Sequence, residues 1–435
     1  MSNLQIGFSA IGVVILLIGL RVPIGAALGL VAFVGIALIR NLDVALTALR
    51  TTPFEFAAHW SLSAIPMFLL MGAVAYHSGV SSDLFQAARL WMGKLPGGLA
   101  VAATFACAGF AAASGASIAT AAAMGRITIP EMLNVNYDKG LASGVVASAG
   151  TLGTLIPPSI LMVLYGIFAE VSISKLFIAG VVPGLLTATI YAGMIVLRCR
   201  LNPNLAPVLD YDATWGERFA SLRDIWPLAV LIVGIIGGLY AGLFTATEAG
   251  AAGALLAIVI SALQGRMTIK LLKASVLEAL SSTARIFFVA VGAVLLTRFL
   301  ALAGVPVYLG EVVGTWSGDP LLLVIAASGV YIILGMFLDP LGVMLITLPL
   351  FLPMFVALDL DLIWFGILVI KYLEIGLITP PVGMNVYVIK SVVGDRIELE
   401  TIFKGVAWFI VCDVVVIGLI VAFPAIALYL PGLMK

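Results

Sequence analysis

Apolar residues run along this chain in blocks about as long as a bilayer is thick, parted by short polar breaks. A membrane helix needs about 20 predominantly apolar residues. Runs near that length, some shorter, fall at 4–20, 23–39, 62–78, 173–197, 226–243, 246–263, 284–302 and 403–423, and each predicts a spanning helix. Segments 138–170 and 361–389 are long but interrupted, each by a Pro-Pro pair near its middle, Pro157-Pro158 and Pro380-Pro381. Segments 99–130 and 321–356 are apolar at both ends and small or polar at the centre. Too long for one span, these two read as re-entrant hairpins. Their breaks are placed at Ala113-Ser114-Gly115-Ala116-Ser117 and at Leu338-Asp339-Pro340-Leu341-Gly342.

The pattern occurs twice. Gly153-Thr154-Leu155-Ile156-Pro157-Pro158 matches Gly376-Leu377-Ile378-Thr379-Pro380-Pro381 at an offset of 223, shared by Pro130 and Pro353. Trp91 and Trp316 precede the two hairpins at nearly equal spacing. The predicted fold is an all-α polytopic membrane protein of two repeats, 1–197 and 225–435, joined by a polar linker at 198–224. Each repeat holds three spans, a hairpin, a broken helix and a further span. Five crossings are an odd number, so the second repeat is predicted to be inverted, the arrangement of secondary transporters with midplane sites. Segment 82–95 is amphipathic and predicted to lie along the membrane surface; 268–283 takes the equivalent place in the second half.

Composition agrees. Of 435 residues, 63% are hydrophobic and 10% charged, against roughly 25% charged in soluble domains. The 45 glycines suit close helix packing in lipid. The run after Met1 lacks a basic n-region and a small-residue cleavage site, so it reads as a span rather than a removed signal. With the N-terminus outside, the inner side receives sixteen Lys and Arg, from Arg21 and Arg89 to Arg396 and Lys404. The outer side receives four, Arg40, Arg50, Lys175 and Lys435. That bias obeys the positive-inside rule and places both termini outside. Net charge is zero, which gives no sign of nucleic acid binding, and Cys107, Cys199 and Cys412 form no CxxC pair.

Proline and glycine at mid-membrane free backbone groups, and each freed group costs several kcal/mol in hydrocarbon unless satisfied. A cation satisfies carbonyls, and an anion satisfies amides at half-helix N-termini. The four breaks are therefore expected to build paired ion sites around one anion site. Ser114, Ser117, Ser148, Thr151, Thr154 and Ser159 supply hydroxyls in the first half, with Thr379 and Asn385 in the second. Sodium, a hard cation, takes such oxygens. Ionisable residues within spans are functional candidates. Asp339 falls at the second hairpin tip. Lys371 and Glu374, three apart, share a helix face and can pair. Arg298 ends a span and can contact substrate, pair with Glu311 or snorkel to water. Asp413 shows no partner. No nucleophile elbow, Walker loop or metal-binding His motif occurs, which argues against an enzyme and an ATP-driven pump.

At Ala113–Ser117, Gly153–Ile160, Gly335–Asp339 and Ile375–Asn385 the chain resembles the large membrane (DctM-type) subunit of tripartite ATP-independent periplasmic (TRAP) transporters. The resemblance covers essentially the whole chain. It implies an elevator-type fold, with a transport domain of hairpins and broken helices sliding against a scaffold of the other spans. It also implies sodium-coupled import of an organic acid, such as a C4-dicarboxylate, across the bacterial inner membrane. The partners it implies are a periplasmic substrate-binding protein and a small membrane subunit of about four spans, which is not expected to be fused here. By motif match, sodium would lie near Ser114, Ser117, Gly153 and Thr154, and near Leu338, Asp339, Gly376 and Thr379. Substrate would meet Ser117, Thr154, Arg298, Asp339, Lys371 and Asn385. Lys371 and Glu374 depart from the Asn and small residue often found there; a Lys could read a second carboxylate or replace a cation's charge. The alternatives are a stand-alone sodium–carboxylate symporter of a related elevator family, a channel, and a membrane enzyme or structural subunit without a transport site.

Overall fold

A computed structural model describes residues 2–207, 214–315 and 320–434. Trp316, Lys435 and part of the linker lie outside the described residues. Among the described residues the chain is helical, with no strand. Among the described residues six helices are long and apolar enough to cross a bilayer: Trp60–His77, Ile173–Leu201, Ala246–Leu263, Ile269–Leu302, Pro340–Ala357 and Leu399–Ala422. Asn3–Gly19, Ile24–Ile39, Gly98–Ser114 and Pro320–Gly335 are shorter apolar helices.

Both hairpins are present. Gly98–Ser114 turns back at Gly115, whose φ of 63° favours glycine, into Ser117–Asn134. Pro320–Gly335 is followed by Pro340–Ala357. The second break spans 336–339, slightly earlier than the sequence suggests, because Pro340 opens the returning helix; proline suits that first turn, where its missing N–H is no loss. Both interrupted segments are broken as well. Lys139–Ala149 tightens into a 3₁₀ turn at Gly150–Thr154 and resumes as Ile160–Phe168. Leu362–Gly376 resumes as Met384–Val393. Both Pro-Pro bonds are cis. The repeat reaches the caps too: Asp138 and Asp361, 223 apart, accept from the amides of Leu141 (2.8 Å) and Ile363 (2.8 Å).

Three features depart from expectation. Segment 268–283 is not a separate element but the start of the 34-residue helix Ile269–Leu302, since no proline or glycine interrupts it before Gly292. An unforeseen helix, Leu42–Ala57, joins the second and third spans, capped by Asn41. The linker is partly helical: Trp215–Asp224 starts in a capping box, where the amide and hydroxyl of Thr214 hold the Glu217 carboxyl below the usual carboxylate range. It then bends by 53° into Trp226–Tyr240.

Packing divides into two apolar cores. One takes Ile160–Tyr165, Trp364–Leu373 and Val416–Ile420. The other takes Leu141–Leu152, Ile378–Ile389 and Ile402–Cys412. Each broken helix therefore contributes one half to each core, and its non-helical middle falls at the junction. Small residues close both frames. A Cβ on Gly292 would stand 2.5 Å from the Gly25 carbonyl oxygen, and one on Gly144 would stand 2.5 Å from the Gly405 carbonyl carbon. Without that bulk, Ile24–Ile39 lies against Ile269–Leu302, and Lys139–Ala149 against Leu399–Ala422.

Candidate functional site

At the junction each hairpin tip is tied to a broken helix by a main-chain bond. The Ile160 amide donates to the Gly115 carbonyl (3.3 Å), and the Val382 amide donates to the Met336 carbonyl (3.2 Å). The two glycines of the repeated motif permit this approach. A Cβ on Gly153 would meet the Ala116 backbone at 2.8 Å, and one on Gly376 would meet Gly335 Cα at 2.7 Å. Four helices, Ser117–Asn134, Ile160–Phe168, Pro340–Ala357 and Met384–Val393, begin at the breaks. Their N-terminal amides carry the positive end of each helix dipole to this region.

Ser114, Ser117, Gly153 and Thr154 come together here. Ser114 Oγ lies 2.6 Å from Thr120 Oγ1, which donates to the Ala116 carbonyl (2.9 Å), and Thr154 donates to the Thr151 carbonyl (2.8 Å). Ser148 Oγ and Ser159 Oγ are buried without a partner. Thr120 escaped the sequence reading, although its spacing after Ser117 puts it on the first turn of the returning helix. Among the described residues no cluster of three or more His, Cys, Asp or Glu could hold a metal. The polar groups at this break are instead hydroxyl and carbonyl oxygens.

In the second half, Gly376 packs on Gly335, and Thr379 Oγ1 donates to the Ile375 carbonyl (2.6 Å). Asp339, next to Leu338, caps the returning helix by accepting from the Gly342 amide (3.1 Å). Asn385 bridges the halves: its Nδ2 donates to Ser117 Oγ (2.8 Å) and to the Ala147 carbonyl (3.0 Å), and its Oδ1 is buried without a partner. Both side chains are buried, so the structure is closed at this contact.

Lys371 is wholly buried, and its ammonium is held by Glu374 Oε2 (2.7 Å) and Asp413 Oδ1 (2.7 Å). Tyr191 OH donates to Asp413 Oδ1 (2.7 Å), and Thr154 Oγ1 lies 3.2 Å from Glu374 Oε1. Asp413 thus gains the partners that the sequence does not reveal. They stand 42 and 222 residues away, on Leu362–Gly376 and Ile173–Leu201. Arg298 stands apart from this assembly. Its partners are Glu55 (2.6 Å) and Thr52 (2.8 Å), not Glu311. With His59 and Glu170 they line a cleft of about 640 Å³ beyond the end of Ile160–Phe168.

The family described as tripartite ATP-independent periplasmic transporter, DctM component, matches residues 11–426. The C4-dicarboxylate TRAP transporter large permease protein of Pseudomonas aeruginosa is 38% identical over 381 residues, 87% of this chain and 88% of that one. The ectoine TRAP transporter large permease of Halomonas elongata is 33% identical, covering 86% of each chain. The sialic acid TRAP transporter large permease of Vibrio cholerae is 31% identical, over 92% of this chain and 95% of that one. Among solved structures, the YdaH transporter of Alcanivorax borkumensis aligns with a TM-score of 0.59 at 16% identity, covering 88% of this chain and 90% of that one. MtrF of Neisseria gonorrhoeae aligns at 0.57 and 14% identity, covering 88% and 85%. At such identities these two structures share the fold alone.

Proposed function

Because the chain belongs to the DctM component family of tripartite ATP-independent periplasmic transporters, we propose that it is the translocating subunit of a secondary importer of a small organic acid, driven by sodium. It is a multi-pass membrane protein, and its family places it in a bacterial inner membrane. The observation that carries the proposal is the junction itself: oxygen-rich breaks, each opening a helix N-terminus, lie between two apolar cores. Amide ends suit a carboxylate. Hydroxyls and carbonyls at Ser114, Ser117, Gly153 and Thr154, and at Leu338, Asp339, Gly376 and Thr379, suit sodium. Ser117, Thr154, Asp339 and Asn385 are the residues assigned to substrate.

The name of the Pseudomonas relative makes a C4-dicarboxylate or a similar carboxylate the leading substrate class. Lys371, already held by two carboxylates, fits an internal counter-charge better than a reader of substrate. Arg298 fits the wall of the outer cleft. Packing supports an elevator in which Ile173–Leu201 and Leu399–Ala422 travel with the hairpins and broken helices, because both hold partners of the buried network. The ion pairs Arg89–Glu131, Arg266–Asp83 and His77–Glu278 involve residues that the positive charge places inside. The inverted halves and periplasmic termini follow from that orientation. A periplasmic binding protein and a small membrane subunit complete the assembly.

The test is uptake into liposomes holding this chain with its small subunit, supplied with the loaded binding protein. Accumulation is expected only with an inward sodium gradient and all three parts. Accumulation by this chain alone would instead favour the stand-alone symporter. Passage without accumulation would favour a channel.

A further inference from the structure

We propose that the groove between Gly98–Ser114 and Ile173–Leu201 is a lipid site: it takes one acyl chain of an anionic phospholipid from the cytoplasmic leaflet, whose phosphate meets Arg200. The groove stands apart from the junction, and its occupancy does not depend on the transport reading above.

The groove holds about 440 Å³. One wall is Val101 and Phe105. The other is a stripe of Ile173–Leu201, from Thr189 through Gly193 and Leu197 to Arg200. Those positions share one face of the helix. Over eleven residues that face rises about 16 Å, about half of a hydrocarbon core roughly 30 Å thick. The groove is therefore one leaflet long. Gly193 and Leu197 are exposed on this spanning helix, so the stripe faces lipid. Glycine at 193 keeps the floor open: a Cβ there would meet nothing within 4 Å. At the deep end the Thr189 hydroxyl donates to the Leu185 carbonyl (2.7 Å), which leaves hydrocarbon no unpaired hydroxyl to meet.

The mouth is different. Arg200 lies in the last turn of the helix and is exposed, and no described acidic side chain lines the groove with it. The turn before Gly98 closes on this end, since a Cβ on Gly97 would stand 2.7 Å from Cys199 Sγ. That turn brings Met92 and Leu95 to the mouth. Depth is marked by the neighbouring Trp91. Its ring meets Trp215 (6.4 Å between centroids) and Phe219 (6.0 Å), and all three rings are exposed. Such rings gather at headgroup level, and the positive charge of this end places it at the cytoplasm. Arg200 thus stands at phosphate height. An apolar groove that ends in one unopposed cation matches a fatty chain with an anionic head.

Native mass spectrometry of this chain with its small subunit, titrated with phosphatidylglycerol or phosphatidylcholine, tests the site. The wild type should hold one phosphatidylglycerol severalfold more tightly than phosphatidylcholine. Arg200→Ala should hold the two alike. Gly193→Phe, whose ring fills the groove from a position with open space, should weaken phosphatidylglycerol severalfold at an unchanged melting temperature. No preference in the wild type, or an undiminished preference in either variant, overturns the site. Arg200→Ala, a surface change, decides even where the bulkier variant does not fold. Release of the small subunit by Gly193→Phe would give the groove to that partner and overturn the lipid.

Discussion

Asn385 shows what one side chain does at the junction. It belongs to the second broken helix, yet both its donor bonds reach the first half, to Ser117 and the Ala147 carbonyl. Asn385→Ala would leave the Ala147 carbonyl buried without its partner, and removing one member of a buried bond costs about 1–3 kcal/mol. Thermal unfolding in detergent should show a lower midpoint for this variant; an unchanged midpoint would mean that the bridge carries no stability. At this scale the sequence was readable only in part. Ser114, Ser117, Gly153 and Thr154 could be grouped only through the family resemblance of the two motifs that hold them. Tyr191, Asp413 and Thr120 could not, since hydropathy shows which residues enter the membrane but not which of them meet. The pairing of Arg298 escaped for the same reason: its partner Glu55 lies 243 residues upstream, on a helix that was not foreseen.

Elements were more legible, because small residues and prolines mark where a helix must stop. Both hairpins and both broken helices fall within a few residues of their expected places. The helix Leu42–Ala57 escaped because Asp43, Arg50 and Glu55 dilute its apolar face, and Ile269–Leu302 looked like two pieces because Lys270, Lys273 and Glu278 polarise its first turns. The joint between Lys139–Ala149 and Leu399–Ala422 offers a controlled test. A Cβ on Gly405 would press into Gly140, at 2.7 Å from its carbonyl carbon, whereas Gly418 on the same helix has open space. Gly405→Leu should lower stability by about 1–3 kcal/mol, as overpacking does. Gly418→Leu should leave the melting curve in place. Equal behaviour of the two would show that the joint is not closely packed.

For the molecule as a whole, orientation is the open consequence of its charge. Cys107, Cys199 and Cys412 are all buried, so an introduced cysteine can be read against a silent background. A membrane-impermeant thiol reagent should label Ala220→Cys, exposed on the linker helix, from the cytoplasm only. It should label Thr47→Cys, exposed on Leu42–Ala57, from the periplasm only. The opposite pattern would turn the molecule over and reverse the assignment of both hairpins. The all-helical, membrane-spanning class was legible because apolar blocks of bilayer length stand out in the sequence. The partition into two cores was not, since it depends on which helices touch.

The bonds from Ile160 to Gly115 and from Val382 to Met336 run between main-chain atoms. No substitution other than proline can delete such a bond, whatever side chain stands there. Side chains around these breaks can therefore change while the frame that carries them stays fixed.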